Sequence, residues 1–186
     1  MSDYIIITPK DWGPLFWNFL HCIPDSLNNE NKCNFKVLFK KLSYVLPCSQ
    51  CKIHYSEFLE KQKLDFKNIT KLKMKKWILD LHNSVNLKLG KKKYSLKESN
   101  KIHKKINDSK FLTLVNYIIK GVMQSKISVY KFLNFILFFE IISNIYPNEK
   151  IRNKFKDIEK LEISNIKELD KWFMNCLKYK KVYLQD

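Results

Sequence analysis

The sequence predicts an all-α protein, on three observations. Apolar residues recur at helical spacing along most of the 186-residue chain, no alternating strand pattern of useful length follows the first few positions, and only three glycines are present. That glycine count excludes a glycine-loop nucleotide fold. With 45% hydrophobic and 14% aromatic residues, the chain has the apolar surface for real cores, so disorder is excluded as its main state. Five cysteines are too few and too unevenly spaced for a disulfide-stapled miniprotein.

Helices are expected near residues 12–23, 34–46, 48–62 and 70–88, with a short one beginning near 96. Pro47 and Thr70 are start signals for the third and fourth, and Gly90 stops the fourth. The polar, lysine-rich run from Lys97 to Lys110 is the expected boundary to a second set near 110–124, 128–146, 148–160 and 165–179. The division is thus an N-terminal bundle of four or five helices over residues 1–105 and a C-terminal helical domain over 106–186. Ile127 to Tyr146 is long enough to cross a bilayer, but Lys131, Asn134 and Glu140 interrupt it, and its longest charge-free run, Phe132 to Phe139, is eight residues. It reads as a buried core helix, and no membrane span is expected. The segment from Met1 to Trp12 lacks a basic lead-in and a small-residue cleavage site, so it does not read as a signal peptide. A cytoplasmic location is expected, where disulfides are catalytic more often than structural.

The formal charge is +17, which suggests nucleic acid or an anionic surface. The details weaken that reading. Arg152 is the single arginine, whereas base reading favours the planar guanidinium, and the excess is even, +9 over residues 1–100 and +8 over 101–186. Evenly spread lysine with abundant Asn and Ile reads as solvated faces under AT-rich coding, and no specific nucleic-acid partner is expected.

Three short motifs carry chemistry. Cys48-Ser49-Gln50-Cys51 follows Pro47 at a helix start, where a close cysteine pair forms a small disulfide ring and the helix dipole favours the thiolate. Zinc is the competing reading, through Cys48, Cys51 and His54, but no second compact Cys/His pair completes four ligands, and no metal site is predicted. In Trp12-Gly13-Pro14-Leu15-Phe16-Trp17-Asn18-Phe19-Leu20-His21, the residues Gly13, Trp17 and His21 form one helical stripe on which a flat aromatic ligand can stack. An ordinary aromatic core stripe with one satisfied histidine is the alternative. In His82-Asn83-Ser84-Val85-Asn86-Leu87-Lys88-Leu89-Gly90-Lys91, His82 and Asn86 lie one turn apart with Val85 beside them, and lysines follow where the helix ends. That suits an adenine dinucleotide, its ring against His82 and its pyrophosphate near Lys88 and Lys91; a polar helix terminus with dipole-favoured lysines is the alternative.

Together these motifs resemble the FAD-linked sulfhydryl oxidases of the Erv and augmenter-of-liver-regeneration family. GxxxWxxxH, a PCxxC followed by His54-Tyr55, and HNxVNxxLGK stand in the family's order and spacing over residues 12–94. The resemblance implies a helical bundle holding FAD non-covalently, with Cys51 facing the flavin and Cys48 exchanging with substrate. It places Gly13, Trp17, His21, Tyr55, His82, Asn83, Val85, Asn86, Lys88, Lys91 and Tyr94 at cofactor positions. The implied reaction oxidises protein thiols to disulfides and passes the electrons to molecular oxygen, giving hydrogen peroxide. Pairing into a homodimer is implied as well. Large DNA viruses have family members with extra helical domains, so a virion or viral factory is a second location the resemblance suggests.

Two features depart from the family. Leu96 stands near the place of a structural cysteine, and no second close pair exists to act as a shuttle. Substrates are therefore expected to reach Cys48 directly, through a small thiol-carrying redox partner. Cys22 and Cys33 read either as a disulfide or as two separate buried thiols, and Cys176 as a core thiol. Rival readings are a lysine-rich nucleic-acid adaptor with a zinc-stabilised fold, which predicts no flavin, and a scaffold built on the C-terminal helices.

Overall fold

A computed structural model describes residues 7–123, 129–156 and 171. Among these, eight α-helices and one 3₁₀ turn make up the regular structure and no strand occurs. They are α1 (Pro9–Cys22), the 3₁₀ turn (Ile23–Ser26), α2 (Lys32–Val45), α3 (Ser49–Lys61), α4 (Lys71–Lys88), α5 (Leu96–Ile102), α6 (Asp108–Met123), α7 (Val129–Ile145) and α8 (Glu149–Phe155). The helix expected near 165–179, together with Cys176, lies outside the described residues except for position 171.

Local chemistry explains where the helices start and stop. α1 begins three residues earlier than the sequence suggests, because Pro9 suits the first helical position and the Asp11 carboxylate accepts from the Thr8 N–H at 2.8 Å and from its hydroxyl at 2.7 Å. Thr70 caps α4 by accepting the Lys73 N–H at 3.2 Å. Ser95 and Glu98 cap each other's N–H groups at the head of α5, at 3.2 and 2.7 Å. α4 ends in a Schellman motif: Lys91 N–H reaches Asn86 C=O at 2.8 Å and Gly90 N–H reaches Leu87 C=O at 3.1 Å, with Gly90 at φ 64°. Only glycine takes that conformation without a Cβ penalty.

α6 packs on α1, α7 along α2 and α8 on α7, so one buried cluster runs from Trp12 to Phe155 across position 105. α7 buries Phe132, Asn134, Phe135, Phe138, Phe139, Ile141, Ile142 and Ile145, as expected of a helix that is apolar on most of its faces. No helix among the described residues is long and apolar enough to cross a membrane. Polar ties reinforce the packing. Asp108 accepts from the Tyr146 hydroxyl at 2.8 Å and from Asn148 at 2.6 Å, joining the start of α6 to the α7–α8 turn. Asp25 in the 3₁₀ turn pairs with Lys75 at 2.6 Å and receives Lys71 on its carbonyl at 2.8 Å, fixing α4 against the end of α1.

Candidate functional site

Cys48 and Cys51 are joined in a disulfide with their Cα atoms 5.2 Å apart. Cys48 is the N-cap of α3 in extended backbone, and its sulfur accepts the Cys51 N–H at 3.2 Å. The pair therefore sits where the positive end of a helix dipole and a directed N–H both favour negative charge on the Cys48 sulfur. Both cysteines are half-buried and lie against the apolar core, so the pair is neither sealed nor fully solvated.

Tyr55, one turn after Cys51, is buried, and its hydroxyl donates to the Phe39 carbonyl at 2.6 Å, binding α3 to α2. Burial holds that phenol far above its ordinary pKa, so it stays neutral. His54, on the preceding position, meets the Ser84 hydroxyl across 3.3 Å and links α3 to α4. With its partners tied into a disulfide and its ring engaged by Ser84, the Cys48–Cys51–His54 set is not arranged as zinc ligands.

The second and third motifs converge on one cluster. His21 on α1 and His82 on α4 share a hydrogen bond, Nε2 to Nδ1, at 2.9 Å. Trp17 lies flat on His82, with centroids 3.9 Å apart and planes 8° from parallel. No ring fits between faces so close, so a flat ligand meets this pair from its rim or its outer faces. Tyr94 closes edge-on against His82 at 5.7 Å. Asn83 uses both ends of its amide to hold Tyr94, donating to its carbonyl at 2.9 Å and accepting from its N–H at 2.8 Å, so it positions the tyrosine. Val85 is half-buried on the same helix end.

Asn86 is 5% exposed and its Nδ2 has no hydrogen-bond partner. A buried amide donor left unmade costs about 1–3 kcal/mol, so this atom is best explained by a group the protein alone does not supply. A Cβ on Gly13 would touch nothing within 4 Å, so protein packing does not demand glycine on the α1 stripe. Lys88 and Lys91 are exposed on either side of the Gly90 turn, at the open end of the cluster.

Two members were not singled out in the sequence. His103, from the run read as a boundary, stacks on His21 with centroids 4.4 Å apart and planes 9° from parallel, and Ser99 meets His21 Nδ1 at 3.1 Å. The available signal was that His103 is one of only four histidines in the chain. The ligating atoms of His21, His82 and His103 fall within 4.8 Å of one another. In rings stacked face to face the lone pairs of His21 and His103 lie in separate parallel planes, so one ion cannot meet both without a ring turning. Desolvation, then the neighbouring His103 and His82 rings and Lys75, push the His21 pKa down to about 3. Desolvation with His103 and Lys91 pushes His82 down to about 4. Both imidazoles are therefore neutral at physiological pH.

Cys22 and Cys33 are not joined: Cys22 is buried, with its thiol pushed up to about 11 by burial, while Cys33 is exposed on α2. Of the two readings kept for them, separate thiols holds, although only Cys22 is buried.

A sequence profile of the Erv1 / Alr family matches residues 14–107, half of the chain, and takes in Trp17, His21, the Cys48–Cys51 pair and the His82–Lys91 motif. "Probable FAD-linked sulfhydryl oxidase R368" of Acanthamoeba polyphaga mimivirus is 33% identical over 98 residues, covering 50% of this chain and 68% of the relative. The FAD-linked sulfhydryl oxidase of African swine fever virus (isolate Pig/Kenya/KEN-50/1950) is 29% identical over 112 residues, covering 57% and 87%. The FAD-linked sulfhydryl oxidase ERV1 of Arabidopsis thaliana is 30% identical over 89 residues, 46% of either chain. No solved structure matches the chain. A disulfide-bonded cysteine pair at a helix N-terminus, a neutral aromatic and histidine cluster with an unmatched amide, and a family match over all of them lead to one conclusion: the chain belongs to the Erv1 / Alr family, whose relatives mark it as an FAD-linked enzyme that oxidises thiols to disulfides.

Proposed function

We propose that Cys48–Cys51 is the disulfide that takes electrons from protein thiols, and that the Trp17, His21 and His82 cluster with Asn86 binds the adenine end of FAD. The observation that carries the reading is the Cys48 sulfur at the α3 N-terminus with the Cys51 N–H aimed at it. Asn86 Nδ2 supports the cofactor assignment as a buried donor without a partner, and the open space beside Gly13 supports it from α1. Lys88 and Lys91 supply ammonium groups for the pyrophosphate, and Tyr94, held by Asn83, walls the cluster. The domain division follows the same line: residues 1–105 form the oxidase unit and 106–186 are an addition, of which α6 packs on α1 and α7 on α2.

A substrate thiolate attacks Cys48; the new sulfur–sulfur bond forms as the bond to Cys51 breaks, and Cys51 departs with the electron pair as a thiolate. A second substrate thiolate then attacks the substrate sulfur of the mixed disulfide and releases Cys48. The α3 N-terminus and the Cys51 N–H lower the cost of that departure, because Cys48 leaves as a thiolate on their positive end. Two substrate thiols have become a disulfide, and two electrons rest on the Cys48/Cys51 dithiol. Bound FAD supplies what side chains cannot, the acceptance of this electron pair and its delivery to molecular oxygen, which with two protons gives hydrogen peroxide.

Substrates reach Cys48 directly in this reading, carried by a small thiol-bearing partner protein, and two oxidase bundles pair as a homodimer. The large-virus relatives support a virion or viral-factory setting. The test is an absorbance spectrum of the purified protein, followed by oxygen uptake and peroxide release with a dithiol. A colourless protein that contains zinc would overturn the reading in favour of the nucleic-acid adaptor.

A further inference from the structure

Gly121 lies beyond the stretch matched by the family, yet its helix reaches the redox turn. Near the C-terminal end of α6 it approaches Pro47 so closely that a Cβ there would stand 2.6 Å from the Pro47 Cβ and 3.3 Å from its Cα. Relaxed carbon contacts are about 3.5–4.0 Å, so the first is a collision and the second leaves little slack. Neither atom can swing aside, because one belongs to a rigid ring and the other to the main chain. Gly121 has no positive φ, and a helix interior ordinarily disfavours glycine. The glycine is there for the close approach.

What lies under that approach is the start of the proposed redox pair. Pro47 is bonded to Cys48, the N-cap of α3, whose sulfur receives the Cys51 N–H. The other side of the same junction is also held by the C-terminal helices. α7 packs along α2, with the Lys41 ammonium 2.6 Å from Asn134 Oδ1, and α2 ends at Val45, two residues before Pro47. Helices outside the family stretch thus fix both α2 and the turn that leads from it to Cys48.

We propose that Gly121 is a positioning residue for the Cys48–Cys51 pair: by seating α6 on Pro47 it keeps the Cys48 sulfur under the Cys51 N–H and sets how easily a thiol opens the disulfide. The inference rests on the reading of this pair as the one that exchanges with substrate. Displacing Pro47 draws the Cys48 sulfur off the N–H, which removes stabilisation from the Cys48 thiolate in the reduced state. The balance then shifts toward the disulfide, with one thiol pair of the reductant consumed for each protein disulfide opened.

The test equilibrates the full-length holoprotein with glutathione at a series of reduced-to-oxidised ratios and reads the Cys48/Cys51 peptide by mass after quenching. Flavin content and thermal midpoint are recorded beside it. Gly121→Ala is expected to shift the equilibrium at least threefold toward the disulfide and to move the pH profile of Cys48 alkylation upward. A value within twofold of wild type, whatever happens to the thermal midpoint, overturns the proposal. Pro47→Gly, which empties the seat, is expected to shift the equilibrium as well, and adding Gly121→Ala, whose methyl refills it, to return the value to within twofold of wild type. This swap reports even where Gly121→Ala alone does not fold. If Gly121→Ala leaves the Pro47→Gly value unchanged, the two positions are not coupled and the proposal fails. The equilibrium needs neither oxygen nor turnover, so absent oxidase activity counts against the oxidase reading alone, and absent coupling counts against this proposal alone.

Discussion

Acidifying the apoprotein from pH 7 to pH 5 should destabilise it, through His21 and His82. Both rings are buried neutral, with pKa values pushed down to about 3 and about 4 chiefly by desolvation, whereas an unfolded histidine titrates near 6.5. Below pH 6.5 the unfolded chain therefore binds protons that the native chain refuses, and the unfolded state gains with each step down until the native values are reached. For one such histidine the loss between pH 7 and 5 is about 2 kcal/mol, at about 1.4 kcal/mol per pH unit once the unfolded ring is mostly charged. Discounting His82 by about half for solvent screening gives about 3 kcal/mol for the pair. Asp11, Asp65 and Glu98 are held below their ordinary values by hydrogen bonds and titrate beneath this window, so they do not obscure it. The assay is urea unfolding of flavin-free protein at the two pH values and constant ionic strength, with His21→Gln as the comparison. That variant should lose about 2 kcal/mol of the pH effect. Stability equal or greater at pH 5, or an undiminished pH effect in His21→Gln, would refute the neutral buried pair.

The proposed redox pair and the proposed cofactor cluster give further tests. Cys48→Ser and Cys51→Ser should both abolish dithiol turnover, but only Cys48→Ser keeps a thiolate at the proposed flavin-facing position and should show a long-wavelength absorbance band; identical spectra would mean that the assigned order is wrong. His82→Ala removes the face against Trp17 and leaves His21 Nε2 without its partner. FAD affinity should fall by about 1–3 kcal/mol with turnover per bound flavin little changed, and a normal flavin content would remove His82 from the cofactor site. Replacing Cys22, Cys33 and Cys176 together should leave turnover intact with a small dithiol and with a reduced protein substrate. Selective loss of the protein activity would instead reveal a shuttle among them.

What the sequence made legible was local, and the reason is physical. Thr70, Gly90 and the Cys48 N-cap act within four residues of themselves, so their chemistry is written in adjacent letters. The stripe of Gly13, Trp17 and His21 is likewise a consequence of helical period. His103 escaped because its contact with His21 spans 82 positions and depends on how α5 folds back, which no period encodes. Asn83 shows the limit of a motif taken whole: its place beside His82 points to a ligand, but its amide is taken by the Tyr94 main chain eleven residues on. Gly121 is the sharpest instance. Within α6 its sequence neighbours suggest only a weak point in an apolar helix, and the residue acquires meaning from Pro47, 74 positions earlier, where a missing methyl decides how closely an added helix can press on the turn that carries Cys48. A helix that can reach that turn only through the absence of one carbon couples α6 to the turn more tightly than a flexible tether could, and it does so at the residue that precedes Cys48, whose sulfur is proposed to meet substrate.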